Sequence, residues 1–391
     1  MRITWSLPVP GESLRSGRGD VVRARSLIQA LRTLGHEVEV VAAAEDATTA
    51  TAVKTYRGVV RRLLPRWAAL ALRTSGRMAV ARAHARRVAV QARKEAADLI
   101  VETQMHGVPS GARAARAAGR PLVLDDCSPP EEEIALGTVM AGLTRRAFRH
   151  EAHGASILTV SSEALARKLV DDGVPREKLA VVPNGIDPAE FSPRHREATR
   201  SRLGLDGRLV LGFVGSFQPW HRVDLLLESI TLLDPSIPFH LLLVGDGAGR
   251  APALDKAADL GIAGRITAPG TLPHSEVTAA LAACDIGVLP GTNDYGQPMK
   301  LTEYGAAGLP AVAPDLPPVR EILQDGETGL LFTHGDAHGL SNALTRLAKD
   351  SRLRARFGDA ARVAAQERTW ALSAHRMMEA ALTICQPGGA P

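Results

Sequence analysis

Short apolar runs alternate with longer amphipathic stretches from one end of this chain to the other, and few folds accept that rhythm. A parallel sheet needs each strand followed by a crossover, usually a helix, so the pattern reads as α/β with helices on both faces of the sheet. Strand candidates fall at 3–7, 37–42, 99–102, 122–124, 157–160 and 180–182, and again at 210–214, 240–244, 266–268, 286–289 and 311–313. A chain of 391 residues exceeds one ordinary core, so each set is assigned its own doubly wound domain. The turn Pro183-Asn184-Gly185 and the polar stretch up to Asp206 mark the junction. The expected division is 1–185, then 186–370, with 371–391 a helix crossing back to the first domain and ending in a frayed tail. A hinge at the junction would leave a cleft, and ligands of open sheets bind beyond the carboxyl ends of the strands.

Composition excludes several classes. At 45% hydrophobic and 23% charged residues the chain is neither disordered nor fibrous. Three widely spaced cysteines, Cys127, Cys284 and Cys385, have no metal-ligand spacing and fit a reducing compartment. No apolar run reaches the roughly 20 residues of a membrane span, and the start is too short for a signal-peptide core, so a cytoplasmic protein is expected. Its net charge of +5 is modest but uneven: no carboxylate occurs between Asp46 and Glu95, while arginines accumulate around Leu63, Leu64, Trp67, Leu70 and Leu72. Segment 54–94 therefore reads either as a basic amphipathic helix touching anionic membrane or as a solvated helical face. Nucleic acid is not an expected partner.

Two blocks carry chemistry. In Gln297-Pro298-Met299-Lys300-Leu301-Thr302-Glu303-Tyr304, a proline and a lysine open a helix that Gly308-Leu309-Pro310 closes. Amides at a helix start beside Lys300 make a diphosphate seat, and Glu303 one turn on can accept from ribose hydroxyls; an intrahelical charge pair explains the same residues equally well. The other block, Leu211-Gly212-Phe213-Val214-Gly215-Ser216-Phe217-Gln218-Pro219-Trp220-His221-Arg222, ends a strand at Gly215, where a missing side chain admits a ligand or a neighbouring backbone.

These blocks resemble glycosyltransferase family 4, the retaining group 1 glycosyltransferases. The family signature is a glutamate, seven residues, a second glutamate, small residues and Gly-x-Pro. Glu303 matches the second glutamate and Tyr295 falls where the first stands, with Asp294 beside it; Pro298, Lys300, Glu303 and Tyr304 match a Pro-x-Lys-x-x-Glu-Tyr variant. Where the family grips the diphosphate with an arginine and a Lys-Gly, this chain has Ser216 and His221-Arg222. The resemblance implies a GT-B fold, two Rossmann-like domains facing a cleft, and a nucleotide diphosphate sugar as donor. Met299, Leu301, Glu303, Gly215 and Ser216 are its expected donor contacts, with Thr271 and Leu272 at the base. Gly17 and Gly19 stand at the glycine-rich loop of the first domain. Gly245 and Gly247 are read as structural turns.

Arg222 and Lys300 are the expected cations for the leaving diphosphate. In the first domain the histidine many members carry falls on Cys127, leaving Asp125 or Asp126 to activate an acceptor hydroxyl, with His106 and Glu131 as further acceptor-side residues. No Asp-x-Asp stands at a strand end, so transfer without metal or other cofactor is expected, and the resemblance implies retention. Two alternatives stay open: a sugar-nucleotide epimerase of the same architecture, and a non-catalytic sugar-nucleotide binding protein.

Overall fold

The computed structural model describes residues 1–8, 19–43, 65–125, 128–131, 134, 140–385. Gly17, Asp126, Cys127, the tail from Gln386 and the part of the basic segment before Pro65 therefore lie outside the described residues. The chain divides into two compact units, one formed by Met1–Pro183 with the chain from Trp370 onward, the other by Asn184–Thr369.

Along the first unit run β1 (Arg2–Leu7), α1 (Gly19–Thr33), β2 (Glu37–Ala42), α2 (Arg66–Lys94), β3 (Leu99–Thr103), α3 (Gly111–Ala118), β4 (Leu122–Asp125), α4 (Ala141–Gly154), β5 (Ile157–Val160), α5 (Glu163–Asp171) and β6 (Leu179–Val181). The second unit contains α6 (Arg196–Leu203), β7 (Leu209–Val214), α7 (Val223–Thr231), β8 (Phe239–Val244), α8 (Arg250–Asp259), β9 (Ile266–Gly270), α9 (His274–Ala282) and β10 (Ile286–Val288). It continues through α10 (Met299–Ala306), β11 (Ala311–Pro314), α11 (Pro317–Arg320), β12 (Gly329–Phe332), α12 (Ala337–Lys349) and α13 (Ser351–Gln366), and α14 (Trp370–Cys385) returns to the first. Strand β12 has no counterpart among the sequence expectations. Its Gly329-Leu330-Leu331-Phe332 is an edge strand paired with β11.

Each unit holds one parallel sheet of six described strands, in the order β2-β1-β3-β4-β5-β6 and β12-β11-β10-β7-β8-β9. Alternate side chains of a strand face opposite ways, so each sheet feeds two cores. In the first, Ile3, Trp5, Val101, Val123 and Ile157 pack with Leu27 and Leu31 of α1 and Met377 and Met378 of α14. In the second, Leu211, Phe213, Leu241, Leu243 and Val288 pack with α7 and α12, while Val210, Leu242, Val244 and Ala311 pack with Leu281 of α9 and with Leu301 and Tyr304 of α10. Truncating one of these fully buried leucines to alanine costs about 2–5 kcal/mol. The strand orders also fix where ligands belong. The chain reverses its direction of sheet growth between β1 and β3 in one unit and between β7 and β10 in the other, and such switch points open crevices at the carboxyl ends of the strands.

Candidate functional site

At the switch point of the second unit, the loop after β7 meets the first turn of α10. Tyr304 fixes that meeting. Its ring lies on Gly287 of β10, where an added Cβ would sit 2.4 Å from the ring, and its hydroxyl accepts from Val214 N–H (3.3 Å) and donates to the Val288 carbonyl (3.2 Å). Burial leaves no room for its ionised form, so its pKa is pushed up and the hydroxyl keeps its proton. With the helix pinned from beneath, Lys300 comes to lie beside Gly215: a Cβ there would fall 2.6 Å from Lys300 Cε. A side chain there would push against Lys300 Cε and the Phe213 ring, 2.8 Å away.

Lys300 Nζ lies 3.1 Å from Nε2 of His221. Burial lowers the lysine pKa to about 8, with the Glu303 charge opposing the shift. Burial and the adjacent lysine hold His221 down to about 3, so the imidazole is neutral at physiological pH. Among the described residues no carboxylate is ion-paired with Lys300. Arg222, by contrast, has its guanidinium on Asp224 through three contacts of 3.1–3.2 Å, and its backbone is left-handed at φ 48°. Gly291 lets it in, since a Cβ there would come within 2.7 Å of Arg222 Cγ. The structure thus places Lys300 against His221 and Arg222 against Asp224. Chain order suggested Arg222, because an arginine is the obvious substitute for a lysine; the turn Pro219–His221 aims the preceding side chain inward.

Glu303 is half-buried, its pKa raised by burial and by Glu190 against the opposing charges of Lys300 and His274. His274 Nε2 is 2.8 Å from a Glu190 carboxylate oxygen, so two side chains from separate elements act on Glu303. Met299 and Lys300 open α10 and offer first-turn amides without helical acceptors, whereas Leu301 donates to the Pro298 carbonyl (3.1 Å) and buries its side chain in the core. Ser216 and Thr271 are exposed and Leu272 half-buried, just beyond the ends of β7 and β9. Tyr295 is half-buried and Asp294 exposed in the loop leading to α10.

Gly245, Gly247 and Gly249, spaced by two, back the β7 loop one residue at a time. A Cβ on each would fall 1.9, 1.9 and 2.5 Å from the carbonyl oxygens of Gly215, Ser216 and Phe217. The first two have φ of 121° and 149°, closed to ordinary side chains. Their role is to hold the loop that carries the site, and the spacing by two was the readable signal.

The switch point of the first unit is built differently. Glu102 of β3 is fully buried and accepts from Ser6 Oγ (2.7 Å), Ser110 Oγ (2.6 Å) and Gly111 N–H (2.7 Å), while His84 Nε2 lies 2.9 Å from Ser6 Oγ. Glu151 of α4 reaches the same helix start, accepting from Ala112 N–H at 3.1 Å. Burial raises Glu102 to about 7 and Glu151 to about 8, the latter helped by the charge of Glu102. Asp125, offered above as an acceptor-activating base, is instead buried in an ion pair with Arg23 (2.9 Å) and accepts from Thr159 (2.6 Å). Sequence reasoning passed over Arg23, Glu102 and Glu151, although a carboxylate inside Leu-Ile-Val-Glu-Thr was the available cue. Gly19 is the first residue of α1. His106 Nε2 is 3.3 Å from Ser128 Oγ, and Glu131 pairs with Arg145 at 3.2 Å on the surface. Among the described residues no helix is long and apolar enough to cross a membrane.

Comparison with known proteins adds to this geometry. Residues 208–350 match the family model described as glycosyl transferases group 1, and residues 18–190 match glycosyltransferase family 4. A D-inositol 3-phosphate glycosyltransferase of Stackebrandtia nassauensis is 35% identical over 216 residues, 52% of this chain and 48% of that one. A GDP-mannose-dependent alpha-mannosyltransferase of Mycobacterium tuberculosis is 32% identical over 265 residues, 66% of either chain. The chain spans about half the length of the first curated relatives it matches. Among solved structures, Anabaena HepE in complex with UDP-glucose superposes with a TM-score of 0.75 at 20% identity, covering 98% of this chain and 100% of the other. That likeness shows the fold, which is GT-B.

Proposed function

This chain belongs to glycosyltransferase family 4, and on that premise we propose that it transfers a sugar from a nucleotide diphosphate sugar to an acceptor hydroxyl. The observation that carries the proposal is Lys300, a half-buried cation with no ion-paired carboxylate among the described residues, beside the first-turn amides of α10 at a switch point. Breaking a glycosidic bond to a diphosphate builds charge on the leaving oxygens. A fixed cation and helix amides stabilise that charge without reorganising. Glu303, one turn along, takes the ribose hydroxyls. Because these groups already supply positive charge, we propose transfer without a metal ion. Retention of anomeric configuration follows from the family premise, with the diphosphate accepting the acceptor's proton.

The acceptor belongs to the first unit in this reading. One relative's name, D-inositol 3-phosphate glycosyltransferase, makes a polyhydroxylated acceptor the class to try first. Peripheral contact with anionic membrane through α2 is part of the proposal: the helix has no carboxylate, and it exposes Leu72 and Val90 with Arg82, Arg86, Arg93 and Lys94. Arg77 and Arg87 are engaged by the carbonyls of His106 and of Ala42 and Ala43, Arg93 by that of Ala117, and Lys94 lies 3.4 Å from Glu95.

The deciding experiment measures UDP-sugar and GDP-sugar binding by the parent chain and by Glu303→Ala, with melting temperature as the fold control. Loss of at least 10-fold in donor affinity at an unchanged melting temperature is expected, since charged hydrogen bonds are worth about 1.5–3 kcal/mol each. Unchanged affinity removes Glu303 from the site. Product anomers read by NMR, and turnover with EDTA present, test retention and metal independence.

A further inference from the structure

Helices α3 and α4 cross at small residues: a Cβ on Gly154 would fall 2.5 Å from the Ala112 Cβ. That close approach sets their outer faces side by side. Arg113 and Arg116 stand on the outer face of α3, and Arg146, Arg149, His150 and His153 on that of α4, all exposed. Positions 146, 149, 150 and 153 form a single stripe of a helix. With Gly142 these four residues line an open groove of about 500 Å³.

The groove has no counter-charge. Glu151, the one carboxylate in either helix, is buried and turns inward to accept from Ala112 N–H. Glu131 is held by Arg145. None of Arg113, Arg116, Arg146 and Arg149 makes a side-chain hydrogen bond or ion pair with a described residue. His150 feels the field they build, its pKa lowered by burial and then by Arg113 and Arg116. Like charges gathered without a partner cost the fold stability, and an anion brought from outside recovers it.

The kind of anion follows from the same stripe. Leu143, three positions before Arg146, is 49% exposed, and Met140, at the N-cap of α4, is 38% exposed. Apolar side chains at one end of a basic stripe suit an anionic bilayer, where they enter the acyl boundary while guanidinium forks hold phosphates. A free phosphate would leave Leu143 and Met140 in water. We propose that the α3–α4 face, through Arg113, Arg116, Arg146 and Arg149 with Leu143, docks on the phosphate headgroups of an anionic membrane. The face is distinct from the exposed side of α2, since α3 lies between α2 and α4 and packs on both. It extends the membrane contact proposed for α2 and is independent of how the sugar is transferred.

The test follows co-sedimentation of the full chain with phosphatidylglycerol–phosphatidylcholine vesicles at low salt. The variants are Arg146→Glu with Arg149→Glu on α4, Arg82→Glu with Arg86→Glu on α2, and Leu143→Ser. All the substituted residues are exposed, so melting temperatures should not fall. The α4 pair is expected to weaken vesicle binding about 10-fold or more and the α2 pair by less, because each basic residue at an anionic surface adds to affinity. Leu143→Ser should weaken it about 3-fold. Hydrogen exchange in the parent chain should slow over residues 140–154 on vesicles, a reading that needs no variant. A loss in the α2 pair equal to or greater than that in the α4 pair overturns the inference and leaves the α2 contact standing. Binding of glycerol phosphate to the groove without vesicle binding overturns it too, assigning the face to free phosphate. No vesicle binding by the parent chain overturns both membrane contacts and leaves sugar transfer untouched.

Discussion

The two switch points of this molecule have the same topology and opposite electrostatics. In the first unit, Glu102 takes three donors, Asp125 is closed by Arg23 and Thr159, and Ser6 joins His84 to the carboxylate. Most polar atoms there pair with one another, His84 Nδ1 and Glu151 Oε1 excepted, and the network ties strand ends to helix starts. In the second unit, Lys300 meets only a neutral imidazole, which already has the Gln218 amide at its other nitrogen. Sheet topology makes a crevice in both places, but the first is filled by a hydrogen-bonded carboxylate network, whereas the second holds a cation with no ion-paired carboxylate among the described residues.

The largest expected effect breaks the closed side. Arg23→Ala strands Asp125, whose side chain is 0% exposed, and should cost about 3–5 kcal/mol in urea unfolding. A change below 1 kcal/mol would mean that the pair is not structural. Next comes the open side. Gly215→Ala pushes a Cβ to 2.6 Å from Lys300 Cε and should lower nucleoside diphosphate affinity about 10-fold, with a smaller effect on melting temperature. An unaltered affinity would show that Lys300 needs no fixed seat.

The smallest effects are those of pH, and the two sites should respond through different observables. Lys300 must carry its proton to hold an anion, so diphosphate affinity should be flat below about pH 8 and fall above it. Glu102 and Glu151 have folded-state pKa values above their unfolded ones. The unfolded chain gains by ionising first, so stability is fullest below the ordinary carboxylate range and declines as pH rises towards 7–8. Glu102→Gln should flatten that decline and leave the affinity profile untouched. A decline equally steep in the variant would place the titrating group elsewhere.

Much of this was legible in the sequence. The apolar rhythm gave eleven of the twelve described strands, because a strand buried on both faces is a short continuous apolar run. β12, the edge strand on β11, was the one not expected. Lys300 and Glu303 were readable as a helix start with a charge one turn on. Sequence order could not say that the Arg222 side chain folds back on Asp224 while His221 turns towards Lys300.

What the sequence determined by itself was local or periodic: the strand and helix spacing, the opening of α10 at Pro298, and the glycines spaced by two after β8. What the tertiary structure alone decided was which polar groups meet. Ser6 and Glu102 stand 96 positions apart, Arg23 and Asp125 102, His221 and Lys300 79. No spacing rule spans such distances; hydrogen bonding and charge balance act through space, and only the packed sheets bring those side chains within reach.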